Sequence, residues 1–383
     1  MKCYGINLAT DEPVNVHFNS AIEWLEPALG ETENPPLLAP GFIDLQVNGF
    51  AGADYNDPSL TWEALAASLS ALHACGVTRI LATVITGPRE RMAAALRNLA
   101  QARAALPAGE TIEGFHVEGP WISPEDGPRG AHPLEWVRPP DFAEFERLQE
   151  AAQGLIRLVT VAPEYPESPA FIEKLAGRGI TVSIGHTAAS SSQIAAAVDA
   201  GATLSTHLGN AAHAVLPKRC NYLWDQLAED RLAAGFIVDG IHLLPAFLKV
   251  ALRAKGIERS VLVTDAVAPA GCPPGRYRLG ELDVELTGDN RVRLLGQETL
   301  AGSVLTMNRG IEYLMQIAGL SLREAVTMAS RNPARVGRIS GRQRGLAPGD
   351  RSDIVQLRFD PRQKKIRIEK TFLSGREVWT AAS

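Results

Sequence analysis

In IRLVTV (156–161), PAFIEKLAG (169–177), ITVSI (180–184), SSSQIAAAVDA (190–200) and TLSTHL (203–208), short apolar runs alternate with amphipathic stretches of helical period. The first, third and fifth pieces are apolar or β-branched almost throughout. Runs of that kind are strands buried on both faces, as in a parallel sheet. The pieces between them have the length and period of crossover helices.

Upstream, further strand runs stand at Phe42–Val47, Thr78–Val84 and Ile112–Val117, and downstream at Ala233–Val238 and Ser260–Thr264. Thr61–Ala74, Arg89–Leu106, Pro140–Gln153, Trp224–Asp230 and Pro245–Lys255 are the remaining helical segments. Eight strands with seven intervening helices predict an α/β fold, a (β/α)8 TIM-type barrel. The eighth helix is expected from Met307–Ala318 or Ser321–Arg331. Residues 1–40 and 345–383 break the alternation. They read as short strands, among them Asp353–Phe359 and Lys365–Lys370, that form a small accessory β domain from both chain ends. The barrel is then expected over 41–344. Within it Gly275–Thr299 reads as a β insertion after the eighth strand, with turns at Gly280 and near Gly288-Asp289-Asn290.

Composition agrees with a large buried core: the chain has 383 residues, 45% of them hydrophobic. A net charge of −5 with no basic tract excludes nucleic acid as the main partner and favours a small-molecule substrate. No run of about 20 apolar residues predicts a membrane span. Met1–Thr10 lacks the basic start and apolar core of a signal peptide. Cys3, Cys75, Cys220 and Cys272 are widely separated and form no CxxC pair, so reduced thiols in the cytoplasm are expected.

Catalytic groups of such barrels sit at the C-terminal ends of strands. Glu118 ends the third strand, His186 follows the fifth, His207 lies near the end of the sixth and Asp265 follows the eighth. Taken singly, such a histidine is usually a hydrogen-bonded structural residue, and such an aspartate a helix cap. Four metal-binding or proton-transfer groups at one mouth are another matter. One carboxylate with two imidazoles is a hydrolytic metal set that leaves coordination positions open. A further carboxylate can take a proton from water there.

Eight motifs occur in order: PGFIDLQVNG (40–49), FHVEGPW (115–121), GAHP (130–133), IGHT (184–187), THLGNA (206–211), DGIH (239–242), VTDA (263–266) and LAGS (300–303). In this set and order the chain resembles the N-acetylglucosamine-6-phosphate deacetylases of the amidohydrolase superfamily. The resemblance covers about residues 40–310. It implies metal-dependent hydrolysis of an acetamide, giving an amino sugar phosphate and acetate. It also implies that Glu118, His186 and His207 hold one divalent ion, zinc or iron(II), and that Asp265 is first general base and then general acid. His132 would polarise the acetyl carbonyl. His242 and the Asn210-Ala211 backbone would contact the sugar, Lys218 or Arg219 the phosphate. Many superfamily members carry His-x-His on the first strand; here Gln46 and Asn48 stand near the metal site. Amides are weak ligands for zinc-like ions, which points to one ion rather than two. A homodimer is implied too. The loop and helix at His213–Asp230, with extra His213 and Trp224, depart from the expected pattern. The substrate alternatives therefore include another N-acyl amine, such as an unphosphorylated amino sugar or an N-acyl amino acid. A catalytically silent barrel would lack a ligand or the base, and none is missing.

Overall fold

Val77–Ile85, with the sequence VTRILATVI, is buried along almost its whole length, because both faces of this strand meet apolar neighbours. The computed structural model to which it belongs describes residues 1–28, 34–342 and 345–382. The domain boundary expected at residue 344 and the terminal Ser383 lie outside the described residues.

Eight parallel strands form one sheet in chain order: β1 (Phe42–Val47), β2 (Val77–Ile85), β3 (Ile112–Glu118), β4 (Ile156–Val161), β5 (Thr181–Ile184), β6 (Ala202–Ser205), β7 (Ala233–Ile237) and β8 (Ser260–Val263). The barrel closes just beyond β8. Asp265 N donates to Gln46 O (3.0 Å) and Asn48 N to Ala266 O (2.7 Å). Asp44 ties the seam from inside: its carboxylate accepts from Gln46 N (3.2 Å), Thr264 N (3.2 Å) and Thr264 Oγ1 (2.5 Å). Burial pushes the Asp44 carboxyl up to about 7, against these hydrogen bonds.

Helices α1 (Trp62–Ala74), α2 (Arg89–Ala105), α3 (Phe142–Ala151), α4 (Ser168–Gly177), α5 (Ser191–Asp199), α6 (Tyr222–Ala228) and α7 (Pro245–Lys255) lie between successive strands, β1 to β8. Caps set several boundaries that periodicity placed a residue or two away. Asp141 accepts from Ala143 N, so α3 starts after Pro140. Asn221 accepts from Leu223 N and Trp224 N, so α6 begins before Trp224. Both candidates for the eighth helix are helical. One is Met307–Tyr313, which runs on into a π turn, Leu314–Ala318, and stops at left-handed Gly319; the other is Leu322–Met328.

Alternation along each strand sorts the core. Phe115, Val117, Val159 and Val161 face the helices, while Leu45, Leu81, Leu158, Leu204 and Val261 fill the barrel. Above that apolar layer lies a polar one. His116 Nε2 meets Thr160 Oγ1 (2.8 Å), which meets Thr206 Oγ1 (2.7 Å), which meets Ser183 Oγ (2.5 Å). Every partner is satisfied by another member, so these groups are held below the mouth at little cost.

Strands from both ends of the chain make a seven-stranded sheet, ordered Arg376–Thr380, Lys365–Leu373, Ile354–Asp360, Leu37–Pro40, Lys2–Asn7, Glu12–Phe18, Ile22–Pro27. Val16, Phe18, Leu38, Ile354 and Phe372 form its own core. Gly275–Leu279, Leu282–Leu286 and Val292–Leu294 pair as a three-stranded antiparallel sheet over the barrel mouth. No described helix is long and apolar enough to cross a membrane.

Candidate active site and metal centre

Strand ends deliver the chemistry. Glu118 is the last residue of β3, and His186, His207 and Asp265 each stand two residues past a strand. All three adopt left-handed backbone, with φ of 51°, 26° and 51°. This conformation ends the strand and turns the side chain inward; it accounts for β6 stopping at Ser205 rather than at Leu208. Such backbone costs of order 1–3 kcal/mol per residue and persists where surrounding contacts over-determine it.

Glu118 Oε1 lies 3.0 Å from His207 Nε2 and 3.3 Å from His186 Nε2, and the two Nε2 atoms are 3.1 Å apart. The three are buried, and among the described residues they are the one such cluster able to hold a metal ion. His186 Nδ1 donates to the Pro128 carbonyl (2.9 Å), which leaves Nε2 without a hydrogen in the neutral ring. A bare nitrogen, a second imidazole nitrogen and a carboxylate oxygen thus converge where only a positive charge reconciles them. This donor set fits a divalent cation. Burial raises the Glu118 pKa, but the close approach of the His186 and His207 rings outweighs it and holds the carboxyl well below its usual range.

Gln46 Nε2 donates to Glu118 Oε1 (2.8 Å) and Asn48 Nδ2 to Asp265 Oδ1 (2.7 Å). The amides of Gln46, in β1, and Asn48, just past it, therefore orient the two carboxylates. Burial and then the nearby Glu118 charge push Asp265 up to about 8. Ser303 holds the Asp265 backbone from the far side, its N donating to Asp265 O (2.9 Å) and its Oγ to Thr264 O (2.6 Å). This contact is the structural content of the LAGS motif.

His132 lies face to edge with His186, ring centroids 4.4 Å apart. Burial and then His186 push its pKa down to about 3, so the ring is neutral near pH 7. Gly130, at φ 60°, brings the GAHP loop against His186; a Cβ there would sit 3.3 Å from His186 Cε1. His242 Nδ1 donates to Asp239 Oδ2 (2.6 Å), and Asn210 Nδ2 to His207 O (3.0 Å).

A cavity of about 530 Å³ opens on these groups. Asn48, Glu118, His132, His186, His207, Asn210, Ala211, His242 and Asp265 line it; Leu279, Leu282 and Leu294 of the three-stranded sheet form an apolar wall. Gln46 sits behind Glu118 and does not line it. Lys218 and Arg219, expected at the substrate, do not line it either. They are exposed on a loop whose turn is closed by Asn221 Nδ2 donating to Pro217 O (3.0 Å), and water solvates both charges there. Arg129, which sequence reading passed over, does line the cavity and donates to His132 O (2.9 Å).

The model of the Amidohydrolase family matches residues 37–378. The chain belongs to the amidohydrolase family. Amidohydrolases cleave carbon–nitrogen bonds by metal-dependent hydrolysis, and this protein is such a hydrolase. The N-acetylglucosamine-6-phosphate deacetylase of Bacillus subtilis (strain 168) is 35% identical over 340 residues, which span 88% of this chain and 84% of the relative. An N-acetylgalactosamine-6-phosphate deacetylase of Escherichia coli O157:H7 is 33% identical over 84% of this chain and 83% of its own length. The structure of a variant N-acetyl-D-glucosamine-6-phosphate deacetylase from Mycobacterium smegmatis, in complex with N-acetyl-D-glucosamine-6-phosphate, superposes with a TM-score of 0.86. It is 31% identical, covering 96% of this chain and 95% of that one. Like these neighbours, this amidohydrolase is a TIM barrel with an accessory β domain.

Proposed function

We propose that this amidohydrolase hydrolyses the acetamide of N-acetylglucosamine 6-phosphate, giving glucosamine 6-phosphate and acetate. The observation that carries the reading is the meeting of Glu118, His186 and His207 with Asp265 and His132 around one cavity. An ion held by the triad, zinc or iron(II), supplies Lewis acidity and lowers the pKa of water toward about 7. The amides Gln46 and Asn48 already serve Glu118 and Asp265 as donors, which favours one ion over two.

Asp265 takes a proton from the attacking water and delivers it to the amide nitrogen as the carbon–nitrogen bond breaks. Its raised pKa suits both halves of that task. His132 donates a hydrogen bond to the acetyl oxygen as charge develops there; such a donor is worth about 3–4 kcal/mol. His242, braced by Asp239, and the Asn210-Ala211 backbone receive the sugar.

Lys218 and Arg219 are exposed and do not line the cavity of their own chain, which suits a role in the site of a second copy. Val215, Trp224 and Leu244 are 87%, 54% and 69% exposed around the same loop and the neighbouring N-terminal ends of α6 and α7. These apolar side chains support a homodimer in which that loop serves the partner's cavity. Elution at twice the 41.1 kDa chain mass is expected, and elution at one chain mass removes the dimer. Four free cysteines suit a reducing compartment, the cytoplasm.

The absence of both basic side chains from the cavity lining also favours a second reading, deacetylation of an unphosphorylated N-acyl amine. Acetate release decides between them. Turnover of N-acetylglucosamine 6-phosphate, absent for the unphosphorylated sugar and lost in Asp265→Asn, is the expected result. Equal turnover of the neutral sugar keeps the chemistry and discards the phosphate.

A further inference from the structure

Thr86, the first residue past β2, is in no motif of the sequence and has no role in the chemistry described so far. Its side chain is buried, and its Oγ1 lies 2.7 Å from His132 Nδ1. The other contact of that oxygen, with the Glu118 carbonyl, is much longer at 3.5 Å. The site makes room for the hydroxyl: Gly119, at φ 75°, has no Cβ, and one built there would fall 2.2 Å from Thr86 Oγ1.

A neutral imidazole carries one N–H, and the bond made by one nitrogen decides what the other can do. Two arrangements of the 2.7 Å contact are possible. If Nδ1 holds the hydrogen and donates to Thr86, Nε2 is bare and repels a carbonyl oxygen. If the Thr86 hydroxyl donates to a bare Nδ1, the hydrogen sits on Nε2, where it serves an oxyanion. The hydroxyl has no other acceptor within ordinary hydrogen-bond length; 3.5 Å to Glu118 O is near the limit of a hydrogen bond. The short contact to Nδ1 is therefore where its hydrogen is best used.

We infer that Thr86 is a positioning residue: its hydroxyl donates to His132 Nδ1 and fixes the ring as the Nε2–H tautomer that acetamide hydrolysis requires. The inference rests on the reading of His132 given above. Thr86 touches no reacting atom and acts only through His132.

The test combines nitrogen NMR with kinetics. Protein loaded with Zn2+ and labelled with 15N at histidine gives the His132 signals, assigned by their loss in His132→Asn. A pyridine-like shift at Nδ1 and a pyrrole-like shift at Nε2 are expected in the wild type and in Thr86→Ser. Thr86→Val keeps the shape and removes the hydroxyl, and it should lose this single tautomer. In the acetate-release assay its kcat should fall on the order of 10- to 100-fold, the usual effect of removing such an outer partner. KM should stay within about twofold, and Thr86→Ser should restore kcat. A wild-type ring protonated at Nδ1, or a Thr86→Val enzyme with wild-type kcat, overturns the inference. A His132→Asn enzyme with wild-type kcat overturns the reading beneath it instead, while the nitrogen shifts still judge the Thr86 contact by themselves.

Discussion

Asp265 and Glu118 show how two carboxylates at one mouth acquire opposite characters. Both are buried, yet Glu118 faces two imidazoles and Asp265 faces a carboxylate and an amide. Asp265→Asn keeps size and hydrogen bonding but cannot take a proton. Its kcat should fall about 10²- to 10⁴-fold with bound metal unchanged, checked by metal analysis beside the assay. As a base Asp265 must be ionised, so kcat/KM should rise as pH climbs through its apparent pKa; a profile flat across pH 5–9 would remove it from that role. Stability has a different pH dependence. His73 and His116 are buried and neutral, and burial pushes both down to about 4. The unfolded chain takes up their protons near 6.5, so between about 6.5 and 4 it binds more protons than the folded chain. Stability should be full above that window and fall as pH drops through it, by up to about 3 kcal/mol per ring. Denaturant melts at pH 7.5 and pH 5 measure this. The convergence of Glu118, His186, His207 and Asp265 was legible in the sequence, because one such residue at a strand end is common but four at the same mouth are a rare coincidence. Thr86 stands at a strand end too, but a hydroxyl belongs to no ligand set, and only its distance to His132 gives it meaning. Asp44 was hidden for the same reason: its partner Thr264 is 220 residues away.

Elements were legible where periodicity was long and unbroken. β1, β4 and α7 start and end where their sequences change character. Boundaries moved where a cap or a left-handed residue intervened, as at Asp141, Asn221 and His207. Position relative to the cavity was not legible for Lys218 and Arg219, since a loop with no periodicity carries no direction. The insertion, by contrast, was readable as β-hairpins from its turns, though not as a wall of the site. Replacing Gly275–Thr299 with a short Gly/Ser link should raise KM about tenfold or more, because the apolar wall is lost, and leave metal content intact. Unchanged KM would show that the wall contributes no binding. Helix α5 opens on a full capping box between Ser190 and Gln193. Ser190→Ala should cost about 1 kcal/mol in a thermal melt without touching kcat.

At the scale of the whole molecule, one buried carboxylate joins the barrel to the accessory sheet. Asp353 receives Arg79 Nε of β2 (2.7 Å), Arg342 Nη2 (3.1 Å) and Arg351 Nε (2.9 Å). Burial raises its pKa, but the three guanidinium groups outweigh burial and hold it below the usual range. Its contribution is present above the unfolded pKa near 3.9 and is lost as pH falls below that value. Asp353→Ala leaves Arg342 buried without its carboxylate and should destabilise the fold by about 3–5 kcal/mol, read from urea unfolding. A loss under about 1 kcal/mol would mean that water reaches the cluster.

The pairing of Leu37–Pro40 with Ile354–Asp360 has a consequence in time. On the ribosome the barrel strands emerge in order, each able to dock on the one before. The strand that leads into β1 can pair with Lys2–Asn7 on one side, but its other side must wait for a partner made more than 300 residues later. Until then its edge is open to other chains. Translation that stalls after the eighth barrel strand should therefore leave a nascent chain that chaperones hold and proteases find.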